Sequence, residues 1–112
     1  MSFSLRQLPD GQWVKLARRL TFSLDFDRTF TAAPQLWRDF IANAHAAGHR
    51  VVLITRRPDT KADRDEVTKR TATANLDRLI FAGQTQKEDA ARAAGETIDI
   101  WIDDHPVGIP AA

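Results

Sequence analysis

Arg19-Leu20-Thr21-Phe22-Ser23-Leu24-Asp25-Phe26-Asp27-Arg28-Thr29 decides the fold, because it reads as a strand that ends in two carboxylates and a hydroxyl. Leu20, Phe22, Leu24 and Phe26 fall on one side of a period-two pattern and Thr21, Ser23, Asp25 and Asp27 on the other, the alternation of an extended segment. Asp25 and Asp27 therefore start on the same face. Two residues along a strand is roughly 6.6 Å, too far for both carboxylates to touch one small group unless the backbone turns just after Asp25. A strand that runs into an irregular turn, with acids at its carboxyl end, is where open α/β sheets place their sites.

Downstream, the chain alternates between helical and extended patterns. Pro34 suits a first helical turn, Leu36, Trp37, Phe40, Ile41 and Ala44 recur at helical spacing, and Gly48 sits just past the end, which predicts an amphipathic helix over 34–47. His45 and His49 at its end have no acidic or histidine partner at ligand spacing and read as structural or solvent-facing. Arg50 to Ile54 is an apolar run too short for a helix, hence a buried strand of a parallel sheet, ended by Thr55-Arg56-Arg57-Pro58-Asp59. From about 60 to 75 a polar segment offers Asp65/Lys69 and Glu66/Arg70 at i,i+4, with a thin apolar face of Ala62, Val67, Thr71 and Ala74. Asp77 to Ala82 makes a third strand. Thr85-Gln86-Lys87-Glu88 has the form of a capping box opening a helix that ends before Gly95. Lys87 then stands in a first helical turn, against the dipole, which suggests a phosphate and carboxylates as its partners. Ile98, Ile100 and Ile102 alternate with Asp99, Trp101 and Asp103 in a fourth strand, followed by Asp104-His105-Pro106 and a short tail. Such alternation implies an α/β fold with a parallel sheet.

Upstream, Phe3-Ser4-Leu5-Arg6 and Trp13-Val14-Lys15-Leu16 flank Leu8-Pro9-Asp10-Gly11, a turn sequence, and predict two short antiparallel strands at a sheet edge. Arg6, Lys15, Arg18 and Arg19 face a single acid, Asp10, in this segment, so a basic arm that contacts a polyanion or a partner subunit is the alternative to a solvated face.

At 112 residues the chain reads as one domain able to bury roughly two-thirds of the surface its unfolded form exposes. Its 43% hydrophobic and 28% charged residues are those of a soluble globular protein, and neither a membrane span nor a secretion signal is indicated. The absence of cysteine excludes disulfides, thiolate metal sites and a cysteine nucleophile, and fits a reducing, cytoplasmic setting. A net charge of +1 favours no class of partner.

Asp25-Phe26-Asp27-Arg28-Thr29 resembles the D-x-D-x-T signature of the haloacid dehalogenase (HAD) superfamily of phosphatases and phosphotransferases. The same order of motifs continues in Val51-Val52-Leu53-Ile54-Thr55, in Lys87 at a helix start, and in Ile98 to Asp104 ending in Asp103-Asp104. The resemblance spans 20–106 and implies a three-layer Rossmann-like core with a parallel sheet. Residues 1–19 would be a hairpin extension, and the two places where the family inserts cap domains have no spare residues. With Leu36-Trp37 and the closing Trp101-Ile102-Asp103-Asp104-His105-Pro106, the chain is similar to small HAD-like proteins of bacteria and their phages. Receiver domains also gather acids, a threonine and a lysine, but in a different order along the chain.

By that resemblance Asp25 would be the nucleophile that forms an aspartyl phosphate, and Asp27 the general acid and then base. Thr55 would bind a phosphoryl oxygen, and Lys87 would neutralise phosphoryl charge and orient Asp25. Asp103 and Asp104 would hold Mg²⁺, with Asp25 and the backbone carbonyl of Asp27 completing the protein's share. An all-oxygen ligand set with no cysteine or histidine suits Mg²⁺ rather than zinc. The function so implied is that of an Mg²⁺-dependent phosphomonoester hydrolase, acting on a small molecule or a nucleic-acid end, with a possible homo-oligomer covering the site. From the residues themselves, Arg28, Arg56 and Arg57 near the rim would suit a polyanionic substrate, with ordinary solvated arginines as the alternative. Arg28 stands where many family members carry glycine, which keeps open a catalytically weak binding or regulatory module as the other reading. Trp37 and Trp101 read as core.

Overall fold

The computed structural model describes residues 18–110, together with the backbone of 4–7 and 13–16. The first two strands, β1 (Ser4–Gln7) and β2 (Trp13–Leu16), pair antiparallel as the sequence predicts, with Ser4 opposite Leu16 and Gln7 opposite Trp13. The turn 8–11 lies outside the described residues. The pair does not extend the main sheet; it forms a two-stranded sheet of its own. The next strand, β3 (Thr21–Leu24), is central in the main sheet, with β4 (Arg50–Thr55) on one side and β6 (Ile100–Ile102) on the other.

With β5 (Arg78–Phe81) outside β4, the main sheet runs β5-β4-β3-β6, all parallel. β4 is apolar on both faces because helices cover both, whereas β3 turns Thr21 and Ser23 to one of them. Leu24, Val51 and Leu53 pack with Phe26, Phe30, Ile41 and Val67 beneath α1 (Pro34–Ala46) and α2 (Lys61–Thr71). Val52 and Ile54 face the other way, onto Ile80, Ala82 and Ala91 of the α3 (Lys87–Ala93) layer. Each fully buried branched side chain here is worth about 1.5–3 kcal/mol of transfer free energy. Trp37 and Trp101 pack against the two cores, as read from the sequence. Leu36 does not: it is 61% exposed, on the margin of the stripe that carries Trp37, Phe40, Ile41 and Ala44.

Several local expectations are corrected. The cap of α3 is Gln86 rather than Thr85, with no side-chain cap bond, so there is no capping box; the Glu88 N–H is taken instead by the Ile109 carbonyl at 3.0 Å. The tail therefore folds back onto α3. On α2 the acids pair upstream, Asp65 with Lys61 and Glu66 with Arg57, and not with Lys69 and Arg70. The fourth strand begins at Ile100 rather than Ile98.

At the amino ends of the strands, aspartates close the ladders. The Thr21 N–H donates to Asp99 Oδ2 at 2.8 Å, and the Val51 N–H to Asp77 Oδ2 at 2.7 Å. His45 does have an acidic partner, one that only folding supplies: its Nε2 lies 2.8 Å from Asp77 Oδ2. His49 Nδ1 accepts from the Leu20 N–H at 3.0 Å. Both histidines are structural. The acids at this end are spent on architecture, which leaves the opposite end for chemistry.

Candidate functional site

Parallel pairing aligns the carboxyl ends of β4, β3 and β6, since Leu24 lies opposite both Leu53 and Ile102. The Asp25 N–H donates to the Ile102 carbonyl at 3.0 Å, which fixes Asp25 beside β6. The chain then makes a wide turn closed by Phe30 N–H to Asp25 C=O at 3.2 Å and Thr31 N–H to Phe26 C=O at 3.1 Å. Within it Asp27 is extended and Arg28 left-handed, with φ of 63°. That is the backbone turn the two-residue spacing requires. It costs roughly 1–2 kcal/mol at a non-glycine residue. Phe26 and Phe30 anchor the turn in the core, and Trp37 Nε1–H bonds the Thr29 carbonyl at 2.9 Å.

All eight side chains singled out from the sequence, Asp25, Asp27, Arg28, Thr55, Arg56, Lys87, Asp103 and Asp104, line one cleft of about 490 Å³. At its floor the buried Lys87 ammonium bridges Asp25 Oδ1 at 2.7 Å and Asp103 Oδ2 at 2.5 Å, its side chain only 3% exposed. Thr29 Oγ1–H reaches Asp25 Oδ2 at 3.3 Å, and the His105 N–H holds Asp103 Oδ1 at 2.9 Å. Burial pushes the Asp25 carboxyl above the usual range, the nearby Asp104 and Asp103 push the same way, and Lys87 pulls back.

Oxygens of Asp25, Asp103 and Asp104 lie within 4.8 Å of one another; Lys87 contacts the first two and Arg28 lies against the third, and the three carboxylates could hold a hard divalent cation. The Asp27 carboxylate is not among them. It is gripped by Arg57, Nε to Oδ2 at 3.0 Å and NH2 to Oδ1 at 2.9 Å, and this guanidinium holds it below the usual carboxylate range. Arg57 itself stacks on Phe26, 5.2 Å from the ring centroid, and reaches Glu66 and Asp63 of α2. The sequence marked Arg57 only as a rim cation. Thr55 is buried at the end of β4, its Oγ1 accepting from the Arg57 N–H at 3.2 Å. Arg28 is 83% exposed and lies 3.5 Å from Asp104.

Four further residues complete the lining: Gln86, His105, Val107 and Gly108. Sequence reasoning missed them as site residues, having read Gln86 into a capping box, His105 into the end of the fourth strand and 107–112 as a tail. The proline and glycine of Pro106-Val107-Gly108 are the one local sign of the turn that brings them in. Among the described residues no helix is long and apolar enough to cross a membrane. Comparison of the chain with protein families, with curated proteins and with solved structures finds no match in any of the three.

Proposed function

We propose that this chain is an Mg²⁺-dependent phosphomonoester hydrolase of the HAD type, without a cap, working through an aspartyl phosphate on Asp25. The observation that carries the reading is the bridge Asp25–Lys87–Asp103, with Asp104 beside it, at the floor of an open cleft at the carboxyl end of a parallel sheet. Asp25, Asp103 and Asp104 would hold the cation, which when bound offsets phosphoryl charge and favours the ionised form of Asp25.

Asp25 attacks phosphorus: an O–P bond forms, the bond to the leaving oxygen breaks, and that oxygen leaves with the electron pair and takes a proton from Asp27. Water then adds to phosphorus, Asp27 accepts its proton, and the Asp25–phosphorus bond breaks to release phosphate. Lys87 keeps Asp25 aimed and offsets the charge on the transferred group, and Thr55 holds a phosphoryl oxygen. Positioning and charge neutralisation carry most of such a transfer. Asp27 meets the first half-reaction as acid only after it has let go of Arg57.

That same pair favours a second reading, a binding or regulatory module, because a carboxylate locked to a guanidinium donates no proton. Phosphate release by wild type and Asp25→Asn, with Mg²⁺, on an aryl phosphate, nucleoside monophosphates and a 3′-phosphorylated oligonucleotide separates them. Release lost in the variant supports the hydrolase. Silence on every substrate from folded protein that binds Mg²⁺ leaves the module.

A further inference from the structure

The cleft is larger than a phosphoryl group needs: about 490 Å³ falls in the range of sites for whole small molecules, roughly 300–1,000 Å³. The part of it beyond the acids and Lys87, its outer half, includes Arg56, Gln86, Val107 and Gly108. Arg56 lines it and, among the described residues, has no acidic partner, whereas its neighbours Arg28 and Arg57 are paired with Asp104 and Asp27. Arg56 is nonetheless seated. A Cβ built on the buried Gly108 would lie 3.1 Å from its NH1 and 3.4 Å from its Cδ, so the side chain rests on the one residue that leaves it room. The turn beneath is pinned to α3 through the Ile109 carbonyl. At the start of α3, Gln86 lines the same cleft, and its Oε1 is buried with no hydrogen-bond partner. A buried acceptor left unpaired costs about 1–3 kcal/mol, a cost that a ligand donor removes.

We propose that this outer half is a second recognition subsite. Arg56 binds a second anionic group of a bis-anionic phosphomonoester, and Gln86, on turning its buried Oε1 into the cleft, accepts a hydrogen bond from a hydroxyl or N–H of the moiety that joins the two anions. Val107, 66% exposed at the cleft wall, packs against that moiety. The inference rests on the hydrolase reading for the first phosphate, and on Arg56 and Gln86 for the rest. A planar guanidinium suits a phosphate oxygen pair better than a point charge does. A free bisphosphate and the end of a phosphorylated nucleic acid share this chemistry.

The test is a selectivity ratio: kcat/KM for a ribonucleoside 3′,5′-bisphosphate over that for the monophosphate of the same nucleoside, with a 3′-phosphorylated dinucleotide as the polymeric counterpart. The wild type is expected to favour a doubly anionic substrate at least tenfold, the larger ratio naming the source. Arg56→Gln brings the ratio near one, and Gly108→Ala, whose Cβ makes the guanidinium shift by a few tenths of an ångström while keeping its charge, lowers it. A wild-type ratio of one, or a ratio unchanged in Arg56→Gln, overturns the subsite. If nothing is turned over, melting shifts with Mg²⁺ plus pyrophosphate against Mg²⁺ plus orthophosphate decide. A pyrophosphate preference lost in Arg56→Gln keeps the subsite while the hydrolase reading falls; equal shifts in wild type remove it.

Discussion

Arg57 holds Asp27 by two parallel hydrogen bonds of 3.0 and 2.9 Å across 30 residues of sequence, and it is itself braced by Glu66, 2.5 Å from its NH1. The pair keeps Asp27 ionised. In Arg57→Gln the Asp27 carboxyl titrates at higher pH, so its acid form persists to higher pH than in the wild type. Turnover of an alkyl phosphate, whose leaving oxygen needs a proton, is therefore expected to rise at least threefold relative to an aryl phosphate. An unchanged alkyl-to-aryl ratio would sink the idea that Arg57 governs Asp27.

Lys87 is buried between two carboxylates, and removing one partner of such a group leaves charge unpaired. Lys87→Met is expected to lose about 3 kcal/mol of stability, read by denaturant unfolding. Adding Asp25→Asn to that variant should recover part of the loss, since one of the orphaned charges is gone. Strictly additive losses would show that the bridge does not couple them.

Asp25, Asp103 and Asp104 predict that Mg²⁺ stabilises the folded chain. At a hundredfold excess over Kd the gain is about 2.7 kcal/mol, which for a domain of this size raises Tm by roughly 10 °C or more. In Asp103→Asn the shift should vanish. A flat melting curve from zero to millimolar Mg²⁺ in the wild type counts against the metal site.

Arg28 has a φ of 63° and lies against Asp104. Arg28→Gly relieves the left-handed strain but adds chain entropy to the unfolded state, so stability is expected to change by less than about 1 kcal/mol. Asp104 is then released toward the cation, and the Mg²⁺ concentration for half-maximal stabilisation should fall severalfold. A rise in that concentration would assign Arg28 a supporting role instead.

Glu96, its side chain 6% exposed, is held below the usual carboxylate range by Arg50, and Asp99 likewise by the Thr21 N–H and Arg18. Because their folded values are depressed, the stability they contribute is complete above the unfolded values, about pH 4–4.5, and drains away as pH falls through the folded ones. Unfolding free energy should be level near pH 6 and drop steeply below about pH 4.5. Glu96→Gln should flatten that drop.

Periodicity was enough to place β3, β4, β5 and α1, because alternation and the 3.6-residue repeat report which face of a local segment is apolar. It also put the carboxylates, Thr55 and Lys87 at strand and helix ends, where a parallel sheet collects them. It erred where local pattern and global packing compete. Leu36 matched the helical repeat but lay at its margin, and Thr85 matched a capping box whose job the Ile109 carbonyl performs.

What the sequence by itself determined is the order of strands and helices, and the chemistry of the residues at their ends. Tertiary structure alone decided who meets whom. Lys87 meets Asp25 across 62 residues, Arg18 meets Asp99 across 81, Arg56 comes to rest on Gly108, and Gln86 is left with an unpaired acceptor. These partners have no common spacing that a repeat can encode. Each depends on the sheet closing first, since only then does the loop entropy already spent bring distant side chains within reach of one another.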